Sequence, residues 1–337
     1  MLRLFIAAPA CADNGYVGSA ACAGCHPRQA QTQKQSGHAG ALSPTADHPL
    51  LASFFRARRT VRPPAFRFDF LDGARVRISD TAGGVVEAPI EWAFGAGEQA
   101  VTFVSRVDTR HYIEFFFTYY RALDALGPTP GQQDMHPESL AEAAGLYYKT
   151  RDPRTGIDAC FACHSTGPLQ FTSDNAIVPR EPGVHCEACH GPGARHAATG
   201  NPKLIVNPAR WTAAKQLDFC GQCHRMPSPA PEQVDWSYPW NVRHQPLYLA
   251  QSACFRKSNG KLSCVTCHDP HSKLEHADAA YNARCASCHS AISPACKTNC
   301  VDCHMPRVSP LPPLRFTNHW IGVYLSASKL KPRSSPR

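Results

Sequence analysis

Cys186-Glu187-Ala188-Cys189-His190 decides how this chain is read, because its pattern, Cys-x-x-Cys-His, recurs along the sequence. The copies begin at Cys22, Cys160, Cys186, Cys220, Cys264, Cys285 and Cys300. Their second cysteines are Cys25, Cys163, Cys189, Cys223, Cys267, Cys288 and Cys303, and they close on His26, His164, His190, His224, His268, His289 and His304. Seven copies use fourteen of the seventeen cysteines. The pattern is that of c-type haem attachment, in which two thiols add to the porphyrin vinyl groups and the next residue ligates the iron. The spacing lets both cysteines reach one edge of a flat macrocycle while the histidine projects onto its face. Pairs of Cys-x-x-Cys also build zinc sites or redox disulfides, but neither chemistry demands a histidine directly after the second cysteine. A zinc reading would leave all seven motif histidines unexplained. The expectation is seven covalently attached haems c, each with its motif histidine as proximal ligand.

Composition agrees with a core built partly from cofactor. The chain has 337 residues, 18% of them charged, with 30 prolines and 22 glycines, which points to long irregular connections between short elements. The formal charge of +9 invites a nucleic-acid reading. Each ferric haem with two ionised propionates, however, carries about one net negative charge, so seven haems bring the total near neutrality. No basic block or aromatic-interleaved motif supports nucleic-acid binding.

Haem attachment places the chain outside the cytoplasm, in the periplasm or a similar extracytoplasmic space, where cysteine-rich chains also belong. Residues 1–12 read as the end of a secretory signal, with a short apolar run and a small-residue Ala10-Cys11-Ala12 site. Cys11 offers a lipidation alternative, although Ala8-Pro9-Ala10 is a poor lipobox. No later stretch has the roughly 18 apolar residues that span a bilayer. Peripheral association with a membrane stays open.

Tyr16-Val17-Gly18-Ser19-Ala20-Ala21-Cys22-Ala23-Gly24-Cys25-His26 and the following Ser36-Gly37-His38-Ala39 carry a resemblance. The chain resembles multihaem cytochromes related to the tetrahaem cytochrome c of ammonia oxidisers and, more distantly, hydroxylamine oxidoreductase. The likeness implies that His38 is a distal axial ligand. Cys186-Glu187-Ala188-Cys189-His190-Gly191-Pro192-Gly193 and Cys267-His268-Asp269-Pro270-His271 are further phrases of that kind. The resemblance is confined to the haem motifs and their neighbours, which attachment chemistry itself partly enforces.

A haem-free interval follows. Phe66 to Phe70 alternates apolar and charged residues, Asp72-Gly73 makes a turn, and Arg75 to Ile78 returns with the same period, which predicts a β-hairpin. Glu91–Phe94, Ala100–Val104 and Tyr112–Phe117 extend it into a small antiparallel sheet, and Pro137 to Lys149 reads as a helix with Leu140, Ala144 and Tyr147 on one face. From Cys160 onward six motifs crowd together, too close for a conventional core around each, so the haems must share walls.

His196 lies six residues after His190 and His271 three after His268, so neither reaches easily round to the opposite face of the same haem. If they ligate iron, they ligate a neighbour's. His244 and His319, among apolar neighbours, and His136 complete the distal candidates. Cys254 and Cys296 are candidates for a disulfide.

The fold expected is a mainly α and irregular multihaem cytochrome c fold with a small antiparallel β-rich insert. Its parts are a signal remnant (1–12), an N-terminal haem segment (13–45), a haem-free β-rich insert ending in a helix (46–150), a six-haem domain (151–325) and a disordered basic tail (326–337). Ten non-motif histidines for seven irons allow bis-histidine ligation, which favours electron transfer between redox partner proteins over catalysis. The alternative is a multihaem oxidoreductase with one five-coordinate haem acting on a nitrogen oxide, hydroxylamine or a sulfur oxyanion.

Overall fold

The computed structural model describes residues 15–51, 54, 60–61, 65–152, 156–289, 299–325 and 329–333. The signal remnant with Cys11, and Cys296, lie outside these residues. Strands β1 (Leu42–Pro44), β2 (Thr60–Val61), β3 (Phe66–Leu71), β4 (Arg75–Asp80), β5 (Val85–Pro89), β6 (Trp92–Phe94), β7 (Ala100–Arg106), β8 (His111–Tyr120), β9 (Ala125–Pro128) and β10 (Gly145–Lys149) build two antiparallel sheets. One runs β2-β3-β4-β5, and the other runs β1-β6-β7-β8-β10 with β9 paired to β8.

Strand alternation explains how the sheets meet. The hairpin register sets Phe68 opposite Ile78 and Phe70 opposite Val76, and all four are buried. They pack on Phe103, Phe115 and Phe117 of the larger sheet, with Phe68 edge-on to Phe117 at 4.4 Å between centroids. Fully burying such a side chain contributes about 1.5–3 kcal/mol.

A second cluster joins Val104 and Tyr112 of the larger sheet to Ile157 and Phe161 of the helix Ile157–His164. Phe161, within the Cys160 motif, sits edge-on to Trp92, Phe94 and Tyr112 at 5.4, 5.0 and 5.8 Å. The sheet thus holds this motif by the side chain between its two cysteines.

Two expectations need correction. The segment from Pro137 to Lys149 is helical only at Leu140–Ala144, where the Ser139 hydroxyl caps the helix by accepting from the Glu142 N–H. Gly145 then turns with φ +144°, and a Cβ there would lie 2.0 Å from the Glu114 carbonyl oxygen. The chain continues as β10 against β8, with Tyr147 exposed.

The fold is also not mainly α: 34% is helix and 21% strand, in several antiparallel sheets. One reason is that a Cys-x-x-Cys-His segment needs only a single turn, as in Cys186–His190 and Cys300–His304. Among the described residues the longest helix is the twelve-residue Ala213–His224. Connections pair as two-residue ladders instead, Ser165–Thr166 with Glu181–Pro182, Gln170–Phe171 with Ile177–Val178, and Arg307–Val308 with Phe316–Thr317.

Val242, Leu247, Tyr248 and Val308 form a third, smaller cluster, flanked by Trp236 and Trp320. Residues 329–333, assigned from sequence to a disordered tail, return to this part of the fold. The Asn318 amide donates to the carbonyls of Lys329 and Leu330 at 2.8 and 3.0 Å. Among the described residues no helix is long and apolar enough to cross a membrane.

Candidate haem-binding centre

The motif histidines do not stand alone. His26 faces His196 with ring centroids 6.2 Å apart, His224 faces His38 at 6.1 Å, His190 faces His271 at 6.1 Å and His268 faces His319 at 6.2 Å. Each pair joins one motif histidine to one from outside the motifs. An imidazole nitrogen sits about 2 Å from a bound metal and its ring centre about 1.1 Å further back, so two imidazoles sharing one metal have centres about 6.2 Å apart. That separation is too long for stacking on each other and right for an iron between them. Among the described residues no three His, Cys, Asp or Glu groups converge as a protein-only metal site would require.

The pairs connect distant parts of the chain. His190 and His196 share one segment, yet His196 faces His26 and His190 faces His271. His271 in turn follows His268, which faces His319. Both short segments thereby serve two pairs each.

Ring orientation is set by the second nitrogen. Nδ1 donates to a backbone carbonyl in His190 (Val206, 2.7 Å), His196 (Asn201, 3.0 Å) and His319 (Thr317, 2.9 Å). The same holds for His164 (Ala41, 2.9 Å) and His304 (Gly322, 2.9 Å). Protonation at Nδ1 leaves the Nε2 lone pair for a metal, the usual second-shell arrangement. His319 is further fixed by Ser252, fully buried, whose hydroxyl donates to the His319 carbonyl and accepts the Ile321 N–H, both at 2.8 Å.

Burial favours the neutral form, which ligation requires, at five of the rings. Desolvation lowers the pKa of His38, His164, His224 and His268, and pushes that of His319 down to about 4. His38 and His224 are nonetheless solvent-exposed at their surfaces. Rings set deep in the protein mass with an open face suit a flat group inserted beside them. The buried Nδ1 of His268 has no hydrogen-bond partner.

The thiols order the motifs in space. Cys22 interacts directly with Cys186, Cys163 with Cys223 and Cys220 with Cys264. Electrostatic neighbours continue the series, Cys189 with Cys220, Cys267 with Cys285, and Cys285 with Cys300. The motifs therefore run in the order Cys22, Cys186, Cys220, Cys264, Cys285, Cys300, with the Cys160 motif placed beside the Cys220 motif. Cys254 lies close to Cys288 and Cys267.

Other histidines divide clearly. His48 is buried, its Nε2 donating to the Gly95 carbonyl at 3.1 Å and its Nδ1 accepting the Leu50 N–H at 3.3 Å. His185 is hydrogen-bonded at both nitrogens, to Pro182 and Gln33. His111 pairs with Asp108 and His276 with Glu98. Of the sequence candidates, His136 is exposed and His244 contacts Arg225 at 3.3 Å through Nδ1. Neither faces a motif histidine at ring-pair distance. Among the described residues no second histidine ring faces His164, His289 or His304 in this way; His164 instead meets Phe94 edge-on at 5.2 Å.

Sequence reasoning missed Glu187, at the first variable position of its motif. Its carboxylate is 2% exposed and accepts from the backbone N–H groups of Val17, Gly18 and Gly193 at 2.7–3.1 Å. It ties the segment before Cys22 to the loop before His196. A glutamate within a motif is the one sequence signal that could have marked it.

No protein-family model matches the chain. It is 24% identical over 190 residues to the multihaem cytochrome MtrA of Shewanella baltica, covering 46% of this chain and 54% of that protein. It is 23% identical over 364 aligned positions to the dissimilatory sulfite reductase MccA of Wolinella succinogenes, covering 86% of this chain and 47% of that one. The chain thus spans about half the length of these curated relatives. The crystal structure of the outer cell wall cytochrome OcwA superposes with a TM-score of 0.55 at 16% identity, over 91% of this chain and 79% of that one. The chain shares the fold of that cytochrome, and its sequence relatives include a multihaem cytochrome rather than the tetrahaem protein of ammonia oxidisers in particular.

Proposed function

We propose that this chain is a seven-haem c-type cytochrome that passes electrons between redox partner proteins outside the cytoplasm. One observation carries the reading: four motif histidines each face a non-motif histidine at the 6.1–6.2 Å that a shared iron requires. The cysteines of the seven motifs would hold the haems as thioethers, and His26, His164, His190, His224, His268, His289 and His304 would ligate from the proximal side. His196, His38, His271 and His319 would close the far side at the Cys22, Cys220, Cys186 and Cys264 motifs. When bound, each haem supplies one-electron iron chemistry at low potential. The protein's part would be to orient His164, His190, His196, His304 and His319 through carbonyl acceptors and to favour neutral imidazoles at His38, His164, His224, His268 and His319 by burial. Contacts between thiols of successive motifs support a continuous path with a branch at the Cys220 motif.

The outer cell wall location in the name of the structural neighbour OcwA supports a site outside the cytoplasm. The reading also keeps 13–45 as the N-terminal haem segment, 46–150 as a supporting insert and 151–325 as the six-haem region. Intact mass of the secreted protein tests the haem number, and electron paramagnetic resonance of its oxidised form tests the ligation. Fewer than seven haems, or an absence of low-spin bis-histidine signals, overturns the proposal.

A second reading has its own observation. His164, His289 and His304 face no histidine among the described residues, so an iron there would have a position for a nitrogen oxide, hydroxylamine or a sulfur oxyanion. A stoichiometric high-spin signal that moves on adding nitrite, hydroxylamine or sulfite would put oxidoreductase activity ahead of electron carriage. Unaltered low-spin signals would leave it without a site.

A further inference from the structure

Glu114 lies on β8, two residues beyond Tyr112, whose ring packs on Phe161 of the Cys160 motif. Its Oε2 accepts from the Gln132 Nε2 at 3.1 Å and from the Tyr148 hydroxyl at 3.2 Å. Gln132 is completely buried and also donates to the Glu114 carbonyl at 3.2 Å. The carboxyl is hydrogen-bonded by Tyr148 from β10 and Gln132 from the loop after β9, and its charge, with that of Asp158, raises the pKa of Cys160 on the motif helix. Among the described residues no guanidinium or ammonium belongs to the groups that set the protonation of Glu114, and burial raises its pKa. Among the described residues this acid has neutral donors and no counter-cation, and its charge is felt at the Cys160 thiol that would anchor a haem.

We propose that Glu114 takes up a proton from solvent when the cytochrome is reduced and releases it on reoxidation. The inference rests on the reading of Cys160-Cys163-His164 as a haem-binding motif. Each event adds one electron, delivered by the redox partner, and one proton, which forms the O–H bond of the carboxyl. Reoxidation reverses both, so charge at this corner of the protein stays balanced. A unit charge placed roughly 10 Å from a carboxyl at an effective dielectric of about 20 changes its proton affinity by more than tenfold. The coupling is reciprocal, so protonation favours reduction by the same factor.

Gln132 is built to serve both states. Its amide nitrogen donates to the carboxylate, and its buried Oε1, which has no donor, can accept from the acid once the amide rotates. A purely structural glutamate would not need this second acceptor. Tyr148 stays neutral throughout, because burial and the neighbouring carboxylate raise its pKa far above the ordinary tyrosine value.

Redox-difference infrared spectroscopy of the haem-loaded protein tests the proposal. The reduced-minus-oxidised spectrum should gain one carboxylic C=O band, shifted in heavy water and lost in Glu114→Gln. In Tyr148→Phe, where the carboxylate has one donor fewer, the band should persist and its pH range should move upward. Persistence of the band in Glu114→Gln, or no such band at any pH between about 5 and 9, overturns the inference. Peptide mass mapping separates the two layers. Haem found on the Cys160 peptide with no carboxyl response refutes proton coupling alone, whereas a Cys160 peptide without haem refutes the motif reading and this inference with it.

Discussion

Replacing Glu187 tests whether the N-terminal haem segment is held by one carboxylate. Four contacts of 2.7–3.1 Å run from the backbone N–H groups of Val17, Gly18 and Gly193 to its two oxygens. In Glu187→Ala three donors lose their acceptor inside the protein, at about 1–3 kcal/mol each, so the local cost is about 3–6 kcal/mol once partial rehydration is allowed. Glu187→Gln keeps the shape and one good acceptor, and its cost is about 2–3 kcal/mol. Either loss is a large share of the 5–15 kcal/mol that stabilises an ordinary domain. The consequence is directional, because the clamp joins the segment before His26 to the loop before His196, and those two rings face each other. In Glu187→Ala one low-spin iron signal should become high-spin, and limited proteolysis should release a haem-bearing N-terminal peptide while the rest resists. A Glu187→Ala protein with all its low-spin signals and wild-type protease resistance would refute this account of the clamp.

Three further outcomes follow from named contacts. His271→Ala should convert one iron to high spin without changing the haem count by mass, since His190 keeps its own carbonyl acceptor at Val206. Phe161→Ala removes three edge-on aromatic contacts from a fully buried site and should cost about 3–5 kcal/mol in denaturant unfolding. His244 has its pKa pushed down to about 4, first by burial and then by Arg243 and Arg225. An unfolded histidine binds its proton near pH 6.5, so this group favours the folded state above that pH, and the contribution is lost as pH falls from about 6.5 to about 4. Allowing for its half-exposed position, the loss is about 1–2 kcal/mol, and the drop in unfolding midpoint between pH 7 and pH 5 should be smaller in His244→Gln.

The motifs were legible because their pattern is local: five consecutive residues contain both thiols and the histidine that, on the proposed reading, would ligate the iron. The hairpin around Asp72-Gly73 was legible for the same reason, its period-two pattern needing no distant partner. On the proposed reading the distal side was only half legible. His38, His196, His271 and His319 stood out as candidates, but their partners did not, since His26 and His196 meet across 170 residues of chain. The carbonyls that orient the rings, at Ala41, Val206, Asn201, Thr317 and Gly322, belong to no residue type and leave no trace in a sequence. The misread helix shows the opposite error. Leu140, Ala144 and Tyr147 keep helical spacing, but the close approach of Gly145 to Glu114 overrides it.

Two different ways of filling an interior divide this chain. The sheets carry an aromatic core of their own, with Phe54, Phe68, Phe70, Phe103, Phe115 and Phe117 all buried together. Beyond Phe161 the buried clusters are small, four residues around Tyr248 being the main one, and short helices leave their histidines against open faces. Side chains alone would not stabilise that region to the degree seen in the sheets. The crossed histidine pairs explain what does: the segments at 186–196 and 264–271 each contribute to two pairs, so none of the motifs they join is completed by its own residues. Ordering one pair orders half of the next, and the haem region on this account gains its rigidity as a set. The Cys160 motif marks the junction with the sheets, because Phe161 anchors it there and its histidine meets Phe94 of the sheet edge-on. Its packing on the sheet is why, on the proposal above, Glu114 of the same sheet would report on the charge at this motif.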